Sequence, residues 1–439
     1  MLTTKKLSWV LAVATASLLS GSAWGQGLGN SPYSRLGLGD YAGNVGGVRQ
    51  LGMGGTGLAA PNTGNVNELN PALLSYTPRT TWEVGFNAQV KTVRNATAST
   101  RVGTGTLGYL ALAVPLNRRW GAAIGLKPYS SVDYEASSTG VVNGDPTSSA
   151  YRQYKGSGGL SEAYLSTGIH VLRDLNIGGS ASYLFGTIDQ TTGTAITTPT
   201  IAAQQLVVED EALRYSDFLF RAALQYRHKF SKDINLNLAA VQTFQASVSA
   251  GRTRTVERQE ATGAVSSSLT LNDDRGNVVV PGLSQAGLTL DNGRNWTASA
   301  DVSYQQWSKF RSFSQLSTAA LSDTWRVAAG GEFTPDPGSV EHYFQRVTYR
   351  FGLSVAQMPY QPAGQLLYDR AVHWGFAFPL PTATALESTT ISLAFLYGVR
   401  GNTDFLYGNG GTSNVRENYL RVQVGATLSN RWFIKRRLQ

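Results

Sequence analysis

The chain has no cysteine in its 439 residues. It therefore has neither a disulfide nor a lipoprotein-type acylation site. Glutamate and lysine are scarce, as expected where helices are few. No stretch beyond the N-terminus supplies the roughly 20 apolar residues of a spanning helix. Histidine occurs four times, as His170, His228, His342 and His373, and no two form a close metal-ligand pair. The H-E-x-x-H and G-x-S-x-G motifs are both missing. "NDDRGN" (272–277) lacks the later ligands of a calcium loop and reads as a turn. The sequence thus offers no catalytic residue, no metal site and no cofactor site, and we expect no enzyme.

A targeting signal opens the chain. Lys5 and Lys6 precede a short apolar run, residues 7–19, and Ala23 and Gly25 stand where a signal peptidase reads small residues. Residues 1–25 are expected to be a signal peptide. The formal charge is +9, or +7 without Lys5 and Lys6. The basic residues are scattered and several fall at turns, which argues for a solvated or headgroup-facing rim and against nucleic acid.

"LGMGGTGLAAPNTGNVNELNPALL" (51–74) carries Gly52, Gly54 and Gly57 at the spacing G-x-G-x-x-G, with Gly55 between them. A dinucleotide site needs a strand before such glycines and a helix after them. Here "GNVGGVRQ" precedes, and Pro61 sits where the helix should run. The glycines read instead as an ordered, irregular segment that packs closely.

From residue 81 onward the period is two. In "TWEVGFNAQVKTV" (81–93), Trp82, Val84, Phe86, Ala88 and Val90 share one face, and Glu83, Gly85, Asn87, Gln89 and Lys91 the other. Fourteen such segments begin near Trp82, Thr106, Trp120, Glu162, Leu175, Leu213, Ile234, Val278, Trp296, Asp323, Tyr343, Ala371, Ser388 and Val415. The connections after even segments are mostly tight, for example "LNRR", "RDLN" and "DNGR". Those after odd segments are long, among them 131–160, 190–212 and 251–277. Outer-membrane barrels sort their connections this way, with short periplasmic turns and longer extracellular loops. Trp82, Trp120 and Trp296 at the starts of odd segments, with Trp432 and Phe433 past the last, are placed for an interfacial aromatic girdle. "NAT" (95–97) reads as an exposed loop.

The expected fold is all-β: a transmembrane antiparallel barrel of about 14 strands (81–439) behind an N-terminal segment (26–80).

Several stretches carry a family resemblance: "NSPYSRLGLGD" (30–40), Asn70-Pro71-Ala72, "PLNRRWGAAIGLKPYS" (115–130), "DLNIGGSASYLFG" (174–186), "NWTASADVSYQQWSKF" (295–310) and "ENYLRVQVGATLSNRWFIKRR" (417–437). In that order they resemble the FadL-like outer-membrane proteins, the long-chain fatty acid transporter family, and most closely its PorV-like branch that accompanies type IX secretion. The resemblance implies a bacterial outer-membrane location and an N-terminal hatch inside the lumen. Gly52, Gly54, Gly55 and Gly57 would then be packed hatch, and Asn70, Pro71 and Ala72 its turn before the first strand.

Two functions follow as expectations. One is passive transport of small hydrophobic compounds through an apolar lumen site, with exit by hatch movement or a gap in the wall. The other is docking of a partner protein in an outer-membrane secretion or assembly complex, using the long loops. The expected surroundings are outer-membrane lipid, a hydrophobic ligand and partner proteins, and no nucleic acid.

Overall fold

A computed structural model describes residues 31–41, 45–198, 205–260, 264–313, 321–382, 387–404 and 414–430. Fourteen antiparallel strands close into one barrel. They are β1 (Thr80–Arg94), β2 (Ser99–Asn117), β3 (Trp120–Val142), β4 (Asp145–Leu172), β5 (Leu175–Thr197) and β6 (Gln205–Lys229). β7 comprises Asn235–Thr243 and Ala246–Glu260, and β8 comprises Val265–Val280 and Leu283–Asp291. The circuit continues with β9 (Trp296–Gln305), β10 (Thr324–Phe333), β11 (Thr348–Gln357), β12 (Tyr368–Leu380), β13 (Ser388–Gly401) and β14 (Arg416–Asn430). β14 pairs back onto β1 from Arg416↔Arg94 to Asn430↔Thr80. Closure gives the first and last strands a partner, since an unpaired edge facing lipid is not tolerated. No helix among the described residues is long and apolar enough to cross a membrane, which does not bear on crossing by strands.

β7 and β8 are each interrupted once, at residues 244–245 and 281–282. β6 runs unbroken beside both pieces of β7. Pro281 lies in the second break, where a residue without an N–H is tolerated.

The wall is apolar outside and polar inside. In β1, Trp82, Phe86 and Val90 are exposed, whereas Glu83, Gln89 and Lys91 are buried. The same alternation puts Phe218, Phe220 and Leu224 outside on β6 and Gln225 inside. A soluble barrel would bury the first set. Lipid is the solvent that fits the exposed set, since apolar side chains outside a closed barrel need no further protein cover there.

The expected long loops prove to be strand. β3 and β4 pair continuously from Trp120↔Ile169 to Val142↔Asp145, save two register shifts, so most of 131–160 is a hairpin. Residues 190–194 pair with 207–211 across β5 and β6, and 251–259 with 265–275 across β7 and β8. "NDDRGN" lies within β8, next to a register shift between Thr270 and Asn272, and is not a turn. These stretches are rich in Ser, Thr and Gly and lack apolar alternation. Backbone pairing with an equally long neighbour holds them extended, and that pairing leaves no one-strand signature.

Candidate functional site

The N-terminal segment 31–79 packs against inward-facing residues of the barrel. Within it, α1 (Val48–Gly52) precedes the glycine cluster, the reverse of a dinucleotide turn. Gly54 has φ +81°, and a Cβ there would stand 3.0 Å from Leu353 O. Its counterparts on the wall are also glycines. A Cβ on Gly330 or Gly352 would lie 2.1 or 2.3 Å from the Met53 backbone. Gly52, Gly55 and Gly57 complete the close approach, against Arg350, Arg326 and Met53 respectively. The G-x-G-x-x-G run is therefore a backbone-to-wall contact and not a phosphate-binding turn.

Asn70-Pro71-Ala72 makes the second contact. Asn70 Nδ2 donates to Leu58 O at 2.8 Å, and its Oδ1 accepts from Ala72 N at 2.9 Å. Pro71 then opens a 3-10 turn, Pro71–Tyr76, the position where its missing N–H costs least. Gly168 and Gly178 of the wall meet Pro71 and Ala72 backbone.

Three ionic clusters fix the segment laterally, and sequence reasoning identified none of them. Arg49 Nη2 reaches Glu332 at 2.6 Å, and Arg350 Nε shares that carboxylate at 3.1 Å. Asp40 bonds Arg400 at 2.6 Å and lies 3.8 Å from Lys91, which also meets Glu417 at 3.3 Å. Glu68 lies 3.7 Å from Lys127, itself 3.9 Å from Glu162. Burial opposes the Asp40 carboxylate, yet Arg400 and Lys91 outweigh it and hold its pKa below the ordinary value. At Glu68 burial wins over Lys127, and the pKa is raised. His373 is a clamp: Nδ1 faces Leu51 O at 2.9 Å and Nε2 faces Ser354 Oγ at 3.0 Å. The available signal was a charge at an inward register position of a strand; its partner, far along the chain, has no local mark.

The wall is incomplete between β2 and β3. They pair only from Asn117↔Trp120 to Leu110↔Leu126. Beyond that point β2 stays with β1 as far as Ser99↔Arg94, and β3 stays with β4. Seven residues along β3 from Trp120, roughly 20 Å at strand rise, the two strands therefore part. The free edge of β3 is partly taken by the N-terminal segment. Asp40–Tyr41 pair with Ser131 and Ser130 as a two-residue strand, and Ser31 N donates to Asp133 O at 2.7 Å. A cavity of about 520 Å³ adjoins this opening, lined on the β2 side by Leu107 and Tyr109 and on the β3 side by Leu126 and Lys127. Glu68 and Arg421 also line it, so the cavity is mixed and not the purely apolar site expected.

Trp82 and Trp120 are exposed on the outside, near the end of the tight turns, and Trp296 is partly so. Trp120 Nε1 donates to Thr167 Oγ1 at 2.6 Å. Trp432 and Phe433 lie outside the described residues, as does the expected signal peptide. Asn95–Thr97 is an exposed loop, with Asn95 Oδ1 accepting from Thr97 N and Ala98 N.

A closed barrel, apolar outside and polar inside, with short turns at one end defines a bacterial outer-membrane protein. The chain belongs to the BamG family, whose model matches residues 4–439. Solved structures share the fold. The toluene transporter TodX of P. putida matches at 16% identity over 87% of this chain and 97% of that one, with a TM-score of 0.54. A Pseudomonas aeruginosa FadL homologue matches at 12% identity over 89% and 98%, with a TM-score of 0.57. The CymD monoaromatic hydrocarbon channel matches at 15% identity over 89% and 99%, with a TM-score of 0.53. No curated protein matches.

Proposed function

We propose that the protein is a passive outer-membrane channel for small hydrophobic compounds, with residues 31–79 as a hatch and the β2–β3 opening as a lateral route. The opening carries the reading. Unpaired strand edges at membrane depth are tolerated only where protein or a water-filled cavity satisfies them. Here a ligand-sized cavity adjoins the edges, and the hatch covers one of them with only two paired residues. A compound could pass between cavity and bilayer by displacing that short strand. The barrels of similar fold described as hydrocarbon channels support the reading by analogy.

The absence of native cysteine makes a clean test. Thr106→Cys with Ser131→Cys, bridged by a bifunctional maleimide, should seal the opening and cut uptake of a hydrophobic dye by more than tenfold. Unchanged uptake in the bridged protein would sink the lateral route.

A second reading, docking of a partner protein in a secretion or assembly complex, is favoured by the height of β3 to β8. Val141, Ile196 and Leu269, exposed in their far portions, lie well beyond a membrane crossing. The type IX secretion role that the PorV-like resemblance implies belongs to this reading. Extraction in mild detergent followed by pull-down tests it; a barrel that purifies alone would count against it.

A further inference from the structure

A second cavity, of about 570 Å³, lies at the turn end of the barrel, near Pro61–Thr63 of the N-terminal segment. Its charged lining consists of Arg227, Arg294, Arg346 and Arg350 against Asp291 and Glu332. Four guanidinium groups thus face two carboxylates. The deficit of negative charge is larger than that count. Glu332 is already gripped through both oxygens by Arg49, which lies outside the lining. Asp291 is held by Arg227 at 3.2 Å and receives Asn235 and Asn237 besides.

The arginines show the same shortage. Arg350 is 6% exposed, and its Nη1 has no hydrogen-bond partner among the described residues although its Nε is on Glu332. The Nε of Arg346 is likewise buried without a partner among the described residues. Neither Arg346 nor Arg294 forms an ion pair among the described residues. A buried guanidinium nitrogen without an acceptor is costly, and an anion removes the cost. The connection that supplies Arg346 is also unusual. Residues 334–347 join β10 to β11 with two short turns, whereas residues 118–119 and 173–174 suffice for neighbouring pairs at this end. Arg346 closes the 3-10 turn Tyr343–Gln345 and sits over the Tyr343 ring at 5.2 Å, which keeps the side chain in place.

We infer that this cavity is a binding site for a small soluble oxyanion, phosphate or carboxylate in type, at the periplasmic end of the lumen. Arg346 and Arg350 are its principal donors, and Arg294 contributes charge from the rim. The site is independent of the transport reading, because it uses neither the β2–β3 opening nor the cavity beside it.

The test uses the full-length barrel in detergent micelles, titrated calorimetrically with inorganic phosphate at constant ionic strength. Saturable binding with one site per chain is expected. Arg346→Gln should weaken it at least tenfold, and Arg346→Lys should restore part of the loss. Arg346 lies outside the strands, so the variant should keep the barrel's heat-modifiable gel mobility. Arg294→Gln, on the exposed rim, should weaken binding by a smaller factor. Absence of saturable phosphate binding in the unmodified protein would overturn the proposal. So would equal affinity in the unmodified and Arg346→Gln proteins.

Discussion

Two arcs of the same barrel are built differently. β3, β4, β5 and β6 run 23, 28, 23 and 25 residues. β9, β10 and β11 run 10 residues each. A crossing needs only about 9–11 residues, so the second arc is cut to the bilayer and the first rises far above it. Their interiors differ as well. Inside the tall arc, Tyr129, Val132, Leu160, Leu184, Leu213 and Val248 form an apolar cluster with Leu38 of the N-terminal segment. Against the low arc the same segment is held by charge, through Arg49 on the Glu332 that Arg350 shares, whereas its one ionic contact with the tall arc among the described residues, Glu68 to Lys127, is longer, at 3.7 Å against 2.6 Å. A strand that rises above the membrane meets other strands and can bury its own side chains. A strand that stops at the interface must take its inner neighbour from elsewhere in the chain.

The strongest test of that contrast is Glu332→Ala. It leaves Arg49 and Arg350 facing each other with no carboxylate, and a broken buried pair costs about 3–5 kcal/mol. The loss should appear in urea unfolding from lipid vesicles. A loss below about 1 kcal/mol would mean that the low arc is not held by this charge. In the tall arc the matching change is Leu184→Ala, at a side chain with no exposure. It should cost roughly 2–5 kcal/mol through the cavity it leaves, and far less would mean that the apolar cluster is loosely packed.

A third change compares the two faces of one strand. Phe86 is 54% exposed on the outside of β1, and Asn87 follows it on the lumen side, among the residues lining the 520 Å³ cavity. Phe86→Arg should cost roughly 2–4 kcal/mol by placing charge in hydrocarbon. Asn87→Arg should fold, since its side chain stays hydrated. Equal folding yields in lipid would contradict the facing.

How much of this was legible follows the same division. All 14 segments read from apolar alternation correspond to strands, because the bilayer imposes that alternation wherever a strand crosses it. Trp82, Trp120 and Trp296 fall within three residues of a strand start for the same reason. The tall portions of β3 to β8 were not legible as strand, since above the bilayer nothing demands an apolar face. The turn at Asn70-Pro71-Ala72 was implied only by the family resemblance. The partners of Asp40, Arg49 and Glu68 could not be read at all. Each charge looks unremarkable locally, and its meaning lies in Arg400, Glu332 and Lys127, brought near by closure. The parting of β2 and β3 was equally silent, because both strands keep their pattern while losing each other.

Acid should separate two contacts of the segment. Asp40 has a lowered pKa in the folded protein, so its stabilising contribution is complete above the ordinary carboxylate range and is lost as pH falls through the lowered value. Glu68 has a raised pKa, so protonation on acidification favours its folded environment. Amide exchange in residues 31–41 should therefore quicken in acid relative to residues 66–74. Equal quickening in both would show that Asp40 does not set the hold on the first stretch.

The smallest effect is expected where the tall arc is highest. Ser138–Val141 pair with Ser149–Arg152 near the tip of the β3–β4 hairpin, in the register Ser138↔Arg152 to Val141↔Ser149. Removing both four-residue pieces together keeps the tip residues on their original faces, because an even deletion preserves the period of two. None of the eight residues belongs to the three ionic clusters, and only Ala150 among them is buried. Exposed substitutions away from such features usually stay within about 0.5 kcal/mol. The shortened barrel should accordingly unfold in urea as the full one does, and its uptake of a hydrophobic dye should be unchanged. Co-purification of a partner protein is the measurement on which the deletion can still act. If a partner follows the full chain and is lost from the shortened one, the tall arc is a docking surface. A marked loss of stability would instead show that the projecting strands brace the wall below them, and that the two arcs are not separable.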